Sequence, residues 1–261
     1  MLNRLIKAAG TMLLIILIMT GVTGCMNEEQ YSQLIEDMKK VVDDNTESSV
    51  LNAKKLLSQK YGIEFEAVQI GNRLNKDTSD LLMYPADNPD LYFIATVNNN
   101  TMECNDNLVK RAVAQKISAQ LYDNLKDEGM DTCSAIRILS DDDKNESNID
   151  ISPEEFFELY NVDGLMIYLI ISANDSEFSE NTIRNSCKKI KEKYGVNVAV
   201  NSYLIKDNFM QCREAMIKNP DISSTWFEKY HPVSESVFSV NQNDRKAVER
   251  MSELWLILIR K

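Results

Sequence analysis

The apolar run Ala8–Gly21 ends in small residues and then a cysteine, Val22-Thr23-Gly24-Cys25, and this junction decides how much of the chain is available to fold. Arg4 and Lys7 precede it, so a basic region, a short apolar core and a small-residue exit follow one another in the order of a secretory signal. From Ala8 to Gly24 there are 17 residues, three of them glycine. A membrane-crossing helix needs about 20 mainly apolar residues. The expectation is therefore a removable segment, residues 1–24, and a mature chain of 237 of the 261 residues. Losing Arg4 and Lys7 leaves 27 basic against 40 acidic side chains and moves the formal charge from −11 to −13. A chain this acidic is repelled by polyanions, so nucleic acid is not expected as a partner.

The four residues Val22-Thr23-Gly24-Cys25 resemble the lipobox of bacterial lipoproteins. In that family the cysteine thiol receives a diacylglyceryl group and a dedicated peptidase cuts just before it. The resemblance implies that Cys25 is the lipid attachment site, carries fatty acyl chains of the palmitate class and becomes the mature N-terminus. Two acyl chains anchor stably where one is marginal. The implied address is the extracytoplasmic face of the cell membrane, with the bilayer as partner through the acylated Cys25 and envelope proteins as further partners.

Beyond the anchor, apolar spacing divides the chain into two stretches, 25–130 and 131–261. Tyr31, Leu34, Ile35, Met38, Val41 and Val42 share one face of a helix expected over Asn27–Asp44. A second helix is expected over Ser48–Lys60, ending at Gly62 as a left-handed cap. Strands follow at Ile63–Ile70, with a phase change that marks a bulge, at Leu81–Tyr84 and at Leu91–Val97. A long amphipathic helix is expected over Asp106–Lys126. After Asp127–Asp131 the pattern alternates: strand Ala135–Leu139, helix Pro153–Tyr160, strand Leu165–Ser172, helix Glu180–Tyr194, strand Val196–Ile205, helix Phe209–Lys218 and strand Val237–Val240. Ser152-Pro153-Glu154-Glu155 is a helix start, with Ser as N-cap and Pro at the first helical position. Leu254–Ile259 is too short to span a bilayer and reads as a buried strand closing the sheet. The fold class expected is α+β, a helical lead and a helix, strands, helix unit followed by an α/β-like sandwich.

The general pattern also resembles uncharacterised lipoproteins of low-GC Gram-positive bacteria, in the stretch Lys60-Tyr61-Gly62-Ile63-Glu64-Phe65 and in a later strand ending before Asn105-Asp106-Asn107. It covers roughly the first half and implies an address without an activity.

Few residues offer chemistry. The one histidine, His231, precedes a proline in an expected loop, so no two-histidine metal motif exists, and no Gly-x-Ser-x-Gly elbow is present. Asp141, Asp143 and Asn145 match the first oxygen positions of a calcium loop, but Glu146 replaces the sharp-turn glycine and Ser152 the bidentate glutamate, so a solvated acidic loop is expected and no metal. Cys104, Cys133, Cys187 and Cys212 fit no zinc spacing; outside the cytoplasm they are candidate disulfide cysteines with three connectivities open, and Cys187 and Cys212, on expected helices, also suit a small buried apolar residue. Tyr84, Tyr92, Trp226, Phe227 and Tyr230 are candidates for an aromatic groove. No catalytic residue and no cofactor is assigned. The function expected is a non-catalytic binding or assembly role in the envelope, ahead of a solute-binding lipoprotein of a transporter and, third, a wall-polymer hydrolase, since plentiful carboxylates alone leave room for a two-acid mechanism.

Overall fold

A computed structural model describes residues 48–72, 77–98, 100–101, 103–140, 146–173 and 179–240. The chain divides into two units, Met1–Ser48 and Ser49–Lys261, and apart from Ser48 the described residues belong to the second. Cys25, the helix expected over Asn27–Asp44, the calcium-like positions Asp141–Asn145 and the apolar run Leu254–Ile259 lie outside the described residues. The fold is α+β, with helices packed on two four-stranded sheets.

Helix α1 (residues 48–61) leads into an antiparallel meander of β1 (Phe65–Asn72), β2 (Thr78–Pro85), β3 (Phe93–Asn98) and β4 (Glu103–Asp106). In β2 the burial alternates strictly, which aims Leu81 and Met83 inward, and in β3 it does the same for Phe93, Ala95 and Val97. Ala53 and Leu57, four apart on one helical face, close over them. The expected phase change in β1 is a register shift between Ala67 and Gln69. Gly62, at φ +73°, donates its N–H to Ser58 O at 2.9 Å and ends α1 in the left-handed region that a side chain would resist.

Helix α2 (Leu108–Lys126) joins the two sheets. Leu108 and Ala112 belong to the first core, whereas Val113, Ile117, Leu121 and Leu125 belong to the second. Each such fully buried leucine or isoleucine contributes about 1.5–3 kcal/mol relative to exposure.

The second sheet runs β5 (Thr132–Ser140), β6 (Val162–Ser172), β7 (Asn197–Ile205), β8 (Ser234–Ser239) in spatial order. Only β6 and β7 are parallel, and the crossover between them is α4 (Glu180–Tyr194). β6 is buried on both faces along Leu165–Ser172 except at Met166, as its unbroken apolar run requires. Helix α3 (Pro153–Leu159) and α4 join α2 on one face, burying Phe156, Ile183 and Ile190 with Ile167 and Leu169. The opposite face is covered by α5 (Phe209–Ile217) and a 3₁₀ helix (Ser224–Tyr230), burying Phe209 and Phe227 against Tyr168, Ile170 and Tyr203. Ser152 caps α3, its Oγ accepting from Glu155 N at 3.1 Å. No helix among the described residues is long and apolar enough to cross a membrane.

Candidate functional site

β5 is an edge of its sheet, so every second peptide group on it needs a partner from outside the sheet. α2 supplies those partners: Ser118 Oγ donates to Ser134 O at 2.9 Å, and Lys110 Nζ donates to Ser140 O at 2.9 Å. The helix therefore turns a polar stripe, Arg111, Gln115, Ser118 and Tyr122, along the strand edge, while its apolar face fills the core. α5 approaches the same edge with Arg213 and Met216, and the β2–β3 loop contributes Asp90 and Leu91. These elements surround a cavity of about 260 Å³.

Arg111 dominates it chemically. Its Nε donates to Tyr92 O at 3.1 Å, which fixes the side chain across the β2–β3 loop. Its two terminal nitrogens have no hydrogen-bond or ion-pair partner among the described residues. Burial and the nearby Arg137 lower the guanidinium to about 10, which leaves it charged at neutral pH. Arg137 itself is engaged, with Nη1 at 3.3 Å from Asp221 Oδ1. Arg213 has a longer pairing, 3.8 Å to Asp131 Oδ1, and its guanidinium lies 5.9 Å from the Tyr122 ring centre.

Thr132 also lines the cavity; it is 1% exposed and its Oγ1 lacks a partner among the described residues. A buried hydroxyl left so costs on the order of 1–3 kcal/mol unless a ligand or water satisfies it. The cavity thus holds a fixed cation beside apolar carbon from Leu91, Ala114 and Met216.

A second hollow, about 430 Å³, lies between α1 and β4 and is lined by Leu57, Lys60 and Cys104 among others. Its cation is spoken for: Lys60 Nζ sits 2.9 Å from Asp106 Oδ2, and Asp106 also accepts from Tyr61 OH at 2.6 Å and Leu108 N at 3.0 Å. The two stretches that carry the lipoprotein-like pattern, Lys60-Tyr61-Gly62 and Asn105-Asp106-Asn107, therefore meet. They meet as a structural knot, since Asp106 is 1% exposed at its side chain and Asn107 Oδ1 accepts from Ile94 N at 2.9 Å. Burial, then the charge of Asp106, push the Tyr61 phenol far above its ordinary range.

Cys104, Cys133, Cys187 and Cys212 stand as free thiols in this structure. Cys187 and Cys212 are buried in the two cores that flank the second sheet. Burial pushes Cys133, which lines the Arg111 cavity, up to about 11, and Cys104, Cys187 and Cys212 up to about 12.

The aromatic candidates separate into two places. Tyr84 and Tyr92 touch each other, ring centres 5.4 Å apart, beside the first sheet. Phe227 is core, stacked at 4.1 Å on Tyr203, with Trp226 and Tyr230 packed around it under Lys229. No ring contact links the two groups among the described residues. His231 is exposed in the left-handed region, φ 48°, at the end of the 3₁₀ helix. Glu146 turns inward to its own loop, accepting from Ser147 N, Asn148 N and Tyr160 OH. Among the described residues no group of three or more His, Cys, Asp or Glu side chains is placed to hold a metal ion.

No family model matches the chain, and no curated protein matches it. Among solved structures it is similar to the crystal structure of a DUF5037 family protein from Ruminococcus gnavus ATCC 29149, with a TM-score of 0.57 at 12% identity, over 73% of this chain and 89% of that one. At that identity the likeness is one of fold.

Proposed function

We propose that this chain is a lipid-anchored cell-envelope protein, held through Cys25 at the extracytoplasmic face, with a non-catalytic binding role served by the Arg111 cavity. The anchor rests on the sequence Val22–Cys25 and its basic, apolar lead. The observation that carries the binding role is the fixed Arg111 guanidinium, whose terminal donors have no partner among the described residues although they sit in a concave site of a chain with a formal charge of −11. Charged groups are ordinarily paired when water is withdrawn from them, and a site that keeps one unpaired is poised for a ligand. Cys133 stays protonated at neutral pH, so the cavity offers charge and hydrogen bonds rather than a thiolate nucleophile.

A second reading, a solute-binding lipoprotein that delivers its ligand to a transporter, is favoured by the cavity's small-molecule scale. Native mass spectrometry of the full protein, extracted in detergent from its own membranes, tests the binding role. The expected result is a bound small-molecule mass that disappears in Ala119→Trp, a change at an exposed position on the cavity wall. Identical spectra without bound mass from both proteins would overturn it.

A further inference from the structure

We infer that the Arg111 cavity takes a small organic carboxylate, its carboxyl group on the terminal nitrogens of Arg111 and its carbon body against α2 and α5. The inference rests on the binding role proposed above and adds the chemical class.

Three features select the class. Arg111 spends its Nε on Tyr92 O and keeps Nη1 and Nη2, a planar end-on fork that fits the two oxygens of one carboxylate. Among the described residues the cavity has one cation without a charged partner, Arg111; Arg213 already has Asp131 at 3.8 Å, and Asp90, exposed at the wall, adds a negative charge. A singly charged anion matches Arg111, and because Asp90 repels any anion in proportion to its charge, a phosphate at about −1.5 to −2 is disfavoured more than a carboxylate. The remaining wall is largely apolar: Leu91, Ala114, Ala119, Met216 and Ile217 present carbon. A volume of about 260 Å³ falls just under the range of roughly 300–1,000 Å³ typical of drug-sized ligand sites, which suits a small metabolite with a short apolar body.

The experiment titrates the full-length protein in detergent by calorimetry with butyrate and benzoate, each against its neutral amide, and with inorganic phosphate. The expected result is carboxylate binding at least about tenfold tighter than binding of the matching amide, lost to a similar degree in Arg111→Gln, because a hydrogen bond to a charged group is worth about that much. Should Arg111→Gln unfold through loss of its bond to Tyr92 O, Arg111→Lys, which keeps a charge but not the planar fork, and Ala119→Trp, which fills the cavity from an exposed position, take its place, each expected to weaken butyrate severalfold with melting unchanged. Amides binding as well as carboxylates, or phosphate binding where carboxylates do not, would overturn the carboxylate class while leaving the cavity a binding site. No binding by any probe, together with no bound mass on the native protein, would remove both.

Discussion

Tyr61→Phe is the substitution whose cost can be worked most directly from the structure. It removes one oxygen and nothing of the ring, which keeps its edge contact with Phe65 at 6.0 Å. The lost bond, 2.6 Å to Asp106 Oδ1, is to a carboxylate 1% exposed, so water does not replace it. Hydrogen bonds to buried charged groups are worth about 1.5–3 kcal/mol. For a unit of this size each kcal/mol lowers Tm by about 2–4 °C, so the variant should melt about 3–12 °C below wild type. Urea unfolding should show the midpoint shift with an unchanged slope. Asp106→Asn should cost more, since it also removes the ion pair with Lys60. The double variant decides the matter: because Asp106→Asn leaves Tyr61 only a neutral amide oxygen in place of the carboxylate, the combined cost should fall short of the two single costs by about 1 kcal/mol. Strict additivity would refute the view that Tyr61, Lys60 and Asp106 form one network fastening α1 to β4.

Alkali should destabilise the protein. Burial raises Cys133 to about 11 and the other three described thiols to about 12, so between their ordinary value near 9 and those values the folded state holds protons that the unfolded state releases. Stability from this source is whole below pH 9 and is lost as pH climbs through that window, with denaturant midpoints as the readout; a flat profile to pH 11 would contradict it. Unfolded without reductant, the chain should accept one alkyl group at each of Cys104, Cys133, Cys187 and Cys212, and two fewer adducts would reveal a bridge. Gly164→Ala places a Cβ 2.9 Å from Asn197 O, a backbone atom in the parallel pair of β6 and β7, and should lower stability by about 1–3 kcal/mol; an unchanged Tm would show that the pair opens freely. Thr132→Val exchanges an unpartnered buried hydroxyl for a methyl of similar shape, and ligand-free protein should be as stable as wild type or up to about 1 kcal/mol more so. A marked loss would mean the hydroxyl is already satisfied.

The parts of the fold most legible in the sequence are those whose apolar spacing is long and closed by a cap. α4 is expected and found at Glu180–Tyr194, because Ile183, Cys187 and Ile190 repeat on one face and Gly195, at φ +69°, stops it. α3 follows from its Ser-Pro start, and the bulge in β1 from a break in alternation. β4 escapes notice because Glu103-Cys104-Asn105-Asp106 carries no apolar alternation; its existence is decided by the ladder that β3 offers. The 3₁₀ helix escapes for a related reason: Phe227 is the one residue in Ser224–Tyr230 that is fully buried, and three residues per turn leave no 3.6 period to read. The candidate site is harder still. The stripe Arg111, Gln115, Ser118, Tyr122 was available as a polar line on an amphipathic helix, but its meaning depends on β5 being an edge and on α5 folding back from about 100 residues further along the chain, a long-range pairing that local pattern does not encode.

The most direct test of the account is the intact mass of the protein taken from native membranes. The predicted spectrum is a chain that begins at Cys25 and carries a diacylglyceryl group, with the lipid mass absent in Cys25→Ala. A chain that retains residues 1–24 and bears no lipid would contradict the proposed anchor and, with it, the envelope role assigned to the Arg111 cavity.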